Sequence, residues 1–197
     1  MAAVRLQKLR EEYDDTLTID WKSFPLIPGV LQNRKFSTHS AESWRRADQE
    51  EEGVHFKLWN PSMDCPASSM PALEAAKCAE SRGKDVFAHF HMALMKAHFE
   101  QNRDISDREV LIVLARETGL DVERFASDLD NSSQRGKIVA EYLEAREKYP
   151  GFGIPTAVFQ DRYPIVGAVP LSVYRRIIDK LLNRSTSVQG KGGNRNG

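Results

Sequence analysis

Cys65 and Cys78 are the two thiols of the chain. They stand too far apart for a C-x-x-C redox pair, and neither has a partner at zinc-ligand spacing. Cys65 falls in a loop bracketed by Pro61 and Pro66. Cys78 falls on a helix near Glu74, whose charge raises a thiol pKa rather than lowering it. Both read as inert thiols. His89, His91 and His98 share one helix, but no two of them are four residues apart. His89 and His91 point to different faces, and His91 and His98 are roughly 10 Å apart along the axis. No carboxylate stands where it would complete a metal set, so these read as structural or surface histidines. Neither a G-x-S-x-G, nor a phosphate loop, nor a G-x-G-x-x-G occurs. No catalytic residue and no metal ligand is assigned.

The most informative stretch is Gly151-Phe152-Gly153-Ile154-Pro155-Thr156-Ala157-Val158-Phe159. A glycine-flanked Ile-Pro directly before a strand is a place where a cis peptide can be held. A proline held so leaves the backbone of the preceding residue extended and exposed, able to pair with a substrate strand.

The elements that position these residues follow from periodicity. Ala2, Leu6, Leu9 and Tyr13 form the apolar stripe of an amphipathic helix, with Arg5, Lys8, Arg10, Glu11 and Glu12 on the other side. That helix has no capping residue at its start. Leu17, Ile19 and Trp21 alternate with polar residues over 16–22, predicting a half-buried strand. Ser40 is placed to cap a helix running to about Glu52, and the acidic run Glu50-Glu51-Glu52 reads as its solvated end. Val54, Phe56 and Leu58 predict a short extended segment.

From Ser69 to Tyr149 the pattern is helical. Ala72, Ala75, Ala76 and Ala79 form a small-residue stripe over Met70–Gly83, with Glu74, Lys77 and Ser81 on the wet face. Phe87, Phe90, Leu94 and Ala97 line the next helix. Ser106 and Glu109 form a capping box, and Asp121 caps the short helix after it. Ile138, Val139, Tyr142 and Leu143 mark a longer helix. The strands 156–160 and 163–166 flank a turn at Asp161-Arg162. Pro170 opens a helix whose Leu171, Tyr174, Ile177, Ile178, Leu181 and Leu182 share a face. The polar residues 185–197 read as a flexible tail.

Composition sets the class. With 197 residues, 41% of them hydrophobic, the chain is of ordinary globular size. Its 28 Lys and Arg balance 28 Asp and Glu, so a basic footprint for nucleic acid is absent over the whole chain. No apolar run approaches the ~20 residues needed to cross a bilayer, and the first residues lack the apolar core of a secretory signal.

The order of these pieces resembles the DsbA-like branch of the thioredoxin superfamily. It is most similar to the FrnE-like cytoplasmic members and to the related 2-hydroxychromene-2-carboxylate isomerases. The resemblance rests on Gly153-Ile154-Pro155-Thr156 before a hairpin and on Val166-Gly167-Ala168-Val169-Pro170 opening the last helix. Within the helical block, Ala72-Leu73-Glu74-Ala75-Ala76-Lys77, Ala93-Leu94-Met95-Lys96-Ala97-His98-Phe99, Asp104-Ile105-Ser106 and Thr118-Gly119-Leu120-Asp121 also look like that family's insertion. It covers roughly residues 2–183.

The resemblance implies an α/β fold. A thioredoxin-like core comes from 1–61 and 150–184, a helical insertion from 62–149, and a tail from 185–197. It implies thiol–disulfide exchange on a protein or small thiol/disulfide substrate in the cytoplasm, with no nucleic acid and no membrane. Ile154 and Pro155 would form the substrate-binding loop, with the bond between them cis.

Family members open with a strand and a C-x-x-C, or a Ser variant, at the start of the first helix. This chain begins inside that helix, as an N-terminally truncated member would, and a redox motif is expected just upstream of Met1. No cofactor is implied. A kappa-type glutathione-dependent isomerase or transferase is the alternative, with glutathione as cofactor, and a non-catalytic remnant or binding module is the third reading. The missing strand would lie between 16–22 and 156–160. Its absence predicts a gap left open, filled by Val54–Leu58, or closed by a second chain in a homo-oligomer.

Overall fold

The computed structural model describes residues 1–50 and 55–189, with 183–189 as backbone. The expected Glu51, Glu52 and Val54 features and residues 190–197 of the expected tail lie outside the described residues. The elements in chain order are α1 (Ala2–Tyr13), α2 (Thr38–Asp48), α3 (Met70–Glu80), α4 (Lys84–Phe99), α5 (Arg108–Glu117), α6 (Val122–Asp130), α7 (Arg135–Lys148), β1 (Thr156–Phe159), β2 (Tyr163–Val166) and α8 (Leu171–Gln189). The chain divides into two compact units. One is Met1–Asp20 together with the chain from Phe152 onward, and the other is Trp21–Gly151.

In the two-ended unit, β1 and β2 pair antiparallel, Thr156 opposite Val166 and Phe159 opposite Tyr163. The expected turn at Asp161-Arg162 is shifted back by one residue. Gln160 and Asp161 take positive φ, and the Arg162 N–H donates to the Phe159 carbonyl at 3.1 Å. Two left-handed residues give the twist that matches a hairpin's strands. Leu9, Tyr174 and Ile178 form the centre of this core, with Leu6, Tyr13, Leu17, Ala157, Phe159 and Ile165 packed against them. The last helix runs past the expected boundary at 185, to Gln189.

Residues 16–22 are not a strand. Thr16 closes a 3-10 turn over Asp14–Thr16, and Leu17 is extended but joins no ladder. Among the described residues the one sheet is the β1–β2 hairpin. Leu17, Ile19 and Trp21 are still less exposed than Thr18, Asp20 and Lys22. The period of two thus survives as alternate burial without a partner strand.

The helical unit is built on α3. Ala72, Ala75, Ala76 and Ala79 are buried against Phe87, Phe90 and Leu94 of α4, Leu111 and Leu114 of α5, and Phe125 of α6. Small side chains let these helices approach closely. Residues 21–61, placed with the ends of the chain by the resemblance, belong to this unit. Backbone bonds fasten them there: Leu31 N–H to the Ala67 carbonyl, Cys65 N–H to Arg34, Ser69 N–H to Ile27 and Lys57 N–H to Phe99.

Two caps differ from the sequence reading. Ser37, not Ser40, caps α2, accepting from the Ser40 N–H. Asp107, not Ser106, caps α5. Ser106 is engaged elsewhere, donating to Asp104 and accepting from the Ala67 N–H.

Glu74 and Lys77, assigned to a wet face, are buried. Lys77, 2% exposed, reaches the Trp21 carbonyl at 3.0 Å, Glu80 at 3.0 Å and Glu141 at 2.9 Å. Glu141 also accepts the Ser23 N–H at 2.6 Å, and Glu74 accepts from Arg135 at 2.5 Å. Nearby, Phe24 lies edge-on to Tyr142 at 5.0 Å and Lys22 pairs with Glu144 at 3.6 Å. The incoming residues 21–24 therefore lie alongside 141–144 of α7. Val139 and Leu143, expected on the apolar face, are exposed instead, because α7 turns Ile138 and Glu141 inward.

Breaking a buried ion pair while one charge remains costs about 3–5 kcal/mol. Lys77→Met is expected to destabilise the protein by that much in urea melts, and adding Glu141→Gln should recover part of the loss. Burial pushes the His91 and His98 pKa values down to about 4. The unfolded chain, near 6.5, takes up these protons first, so stability is full above pH 6.5 and falls as pH drops toward 4. Roughly 3 kcal/mol is at stake for each histidine. Urea midpoints at pH 7 and pH 4.5 measure this, and His91→Phe should shrink the difference.

Candidate substrate-binding site

The expected site residues Ile154 and Pro155 lie on the loop between α7 and β1. The bond between them is cis. Gly151, at φ 79°, takes the left-handed conformation that ends the run after α7. Thr156 Oγ1 donates back to the Gly153 carbonyl at 2.6 Å, which tightens the approach to β1. The Pro155 carbonyl accepts the Gly167 N–H at 2.7 Å, so the loop is pinned to the residue that follows β2. Gly167 has φ 91°, a conformation that a side chain would strain.

Between these bonds, Ile154 is left open. Its side chain is 45% exposed, and among the described residues its backbone N–H and C=O make no hydrogen bond. Phe152, Tyr163 and Val166 are also exposed in this unit. A free N–H and C=O beside exposed apolar side chains can receive an extended peptide.

The support behind the loop comes from a residue that the sequence reading put on the solvent face. Arg5 is 2% exposed. Its guanidinium donates to the Ala168 carbonyl at 2.5 Å and to the Val169 carbonyl at 3.0 Å. Tyr174, buried on α8, donates to the Gly167 carbonyl at 3.3 Å. Residues 167–169 are thus held by α1, by α8 and by Pro155. Arg5 stands one turn ahead of Leu9, the most buried residue of α1, and that spacing is the signal that places it inward.

The chain's thiols are elsewhere, in the helical unit. Cys65 and Cys78 are free and 3% and 1% exposed. Burial pushes the Cys78 thiol up to about 11, and Asp128 and Glu74 push in the same direction. Glu74 acts in the direction its charge predicts, but burial is the larger cause. Burial also raises the Cys65 thiol. A nucleophilic cysteine needs the opposite setting. The three helix histidines separate as well: His91 stacks on Phe87 at 5.2 Å, His98 packs on Trp44 and Trp59, and His89 is exposed. Among the described residues no group of three His, Cys, Asp or Glu side chains is placed to hold a metal ion. No described helix is long and apolar enough to cross a membrane.

The chain is 28% identical over 160 residues to the "ClpXP adapter protein SpxH" of Bacillus subtilis (strain 168), across 76% of this chain and 52% of that protein. It therefore spans about half the length of that relative. Solved structures share the fold. The "Cytosolic disulfide reductase DsbM from Pseudomonas aeruginosa with GSH" superposes with a TM-score of 0.69 at 20% identity, covering 92% of each chain. SCO1869 from Streptomyces coelicolor, described as a "probable DsbA oxidoreductase", gives 0.72 at 20% identity, covering 99% of this chain and 87% of that one. The family description "DSBA-like thioredoxin domain" matches residues 1–179. That match spans most of the chain, and the chain belongs to the DSBA-like thioredoxin domain family.

Proposed function

We propose that this chain serves thiol–disulfide exchange by holding the substrate's backbone at Ile154, while the attacking thiolate is neither Cys65 nor Cys78. The observation that carries this reading is the open backbone of Ile154 on a loop clamped from behind by Gly167. In exchange, a thiolate attacks one sulfur of a disulfide, a mixed disulfide forms, and the other sulfur leaves as a thiolate. An extended peptide pairing with Ile154 would hold its disulfide steady for that attack.

The motifs of the helical insertion support the FrnE-like branch and a cytoplasmic location.

A second reading is a binding module without catalysis of its own. The burial of both cysteines favours it, and the Bacillus relative carries the name of an adapter. The two readings share the Ile154 surface and differ in the chemistry that follows binding.

The test is titration of the chain with an extended peptide containing a disulfide, followed by amide NMR. Shifts centred on Ile154 and Thr156, weakened at least tenfold in affinity by Ile154→Asp, support the site. Binding that ignores this substitution overturns it. The chain alone is expected not to reduce insulin. Insulin reduction abolished by Cys65→Ser or Cys78→Ser would show that one of these thiols is the nucleophile. Both should also react slowly with a thiol reagent in the native state. For Cys78, about two pKa units above an ordinary thiol means about a hundredfold less thiolate at neutral pH. Arg5→Gln removes a buried charged donor from the Ala168 and Val169 carbonyls and is expected to cost about 1.5–3 kcal/mol in urea melts. The same variant should move the Gly167 and Ile154 amide resonances, which a substitution acting only on α1 would leave in place.

A further inference from the structure

The C-terminal end of α4 carries a satellite aromatic cluster. Trp44 of α2 meets Phe36 at 4.8 Å, His98 at 5.6 Å and Phe99 at 5.0 Å between ring centroids. Trp59 is 3% exposed, and its ring lies 5.7 Å from His98. The segment around Trp59 is strapped to the same end of α4. The Lys57 N–H donates to the Phe99 carbonyl at 2.8 Å, and Asn102 Nδ2 donates to the Leu58 carbonyl at 2.9 Å. Asn102 has φ 53°, a left-handed conformation that asparagine tolerates.

Within this corner, three buried polar atoms have no partner in the chain: Trp59 Nε1, His98 Nδ1 and Asn102 Oδ1. Among the described residues they are the buried side-chain nitrogens and oxygens left in this condition. A buried donor or acceptor left orphaned carries its full desolvation penalty if nothing meets it. Their gathering in one corner, with the rest of the buried polar side chains satisfied, points to a shared occupant.

The chemistry of the three atoms narrows that occupant. The indole N–H of Trp59 only donates. Asn102 Oδ1 only accepts, and its orientation is fixed because flipping the amide would turn oxygen against the Leu58 carbonyl. Burial, with Arg34 nearby, holds His98 neutral down to a pKa of about 4, so its Nδ1 is free to accept. A cation would be repelled by the indole N–H, and an anion would meet the Asn102 oxygen. The set instead matches a small neutral molecule with two donors and a lone pair. Internal waters typically make about three hydrogen bonds of this kind.

We propose that Trp59, His98 and Asn102 together bind one internal water, which accepts from Trp59 Nε1 and donates to His98 Nδ1 and Asn102 Oδ1. The water then joins the 57–59 segment to the end of α4 and fixes His98 as the Nε2–H tautomer.

A crystal structure of the full chain at a resolution that shows waters tests this directly. A single peak about 2.7–3.2 Å from all three atoms is the expected result. In solution, the Trp59 indole proton should show cross-relaxation with a long-lived water, and nitrogen shifts should report the Nε2–H form of His98. Trp59→Phe should lose the peak, while the wild-type measurements stand even if that variant folds poorly. An empty corner, a direct hydrogen bond between any two of the three atoms, or an Nδ1–H tautomer of His98 overturns the proposal.

Discussion

The two-ended unit turns on a single buried cation. The Arg5 guanidinium spends its donors on the carbonyls of Ala168 and Val169, at the point where the chain leaves β2 and has not yet entered α8. Without it, those partly buried carbonyls would lose their charged donor. Arg5 therefore decides where residues 167–169 sit. Through the bond from Gly167 to Pro155, it also helps decide where the loop before β1 sits. Both bonds leave from one guanidinium nitrogen, Nη1, whose two N–H groups reach two adjacent carbonyls.

The helical unit uses a cation in a related way but for another purpose. Lys77 rises from the small-residue helix α3, where alanines leave room for a long side chain to lie along the neighbouring elements. Its ammonium group meets two carboxylates and a backbone carbonyl. A buried charge so fully matched is costly to break, and it makes the position of Trp21 and Ser23 depend on α3 and α7. Trp21 in turn packs at 4.9 Å on His91 and 6.1 Å on Phe87, so the crossover into the helical unit is anchored by rings as well as by charge.

What could be read in advance depended on whether local pattern or distant partners decide an outcome. The helices with strong apolar stripes, such as that carrying Phe87, Phe90, Leu94 and Ala97, are local matters and are found where periodicity puts them. The hairpin is also local, with its turn displaced by one residue. Residues 16–22 carry a strand's alternation, but a strand also requires a ladder partner, and no pattern within the segment reports that. Arg5, Glu74, Lys77 and Glu141 look solvent-facing because charge is taken as a sign of exposure, whereas, Glu80 apart, their partners lie 56 to 164 positions away. The loop at Ile154 and Pro155 was legible because glycines, a proline and a strand sit together in nine residues. Its support from Arg5 was not.

The side-by-side run of 21–24 and 141–144 changes how the insertion weighs on the rest of the fold. By sequence, the helical unit is a very long excursion, and bringing the ends of such a loop together costs chain entropy that grows as the logarithm of its length. Ser23 bound to Glu141 and Phe24 set against Tyr142 close that excursion from within. For the hairpin and its two helices, a detour of more than a hundred residues then behaves as a short bridge whose ends are already gathered. Such a module can change in size or content during evolution while the parent unit meets the same two chain ends.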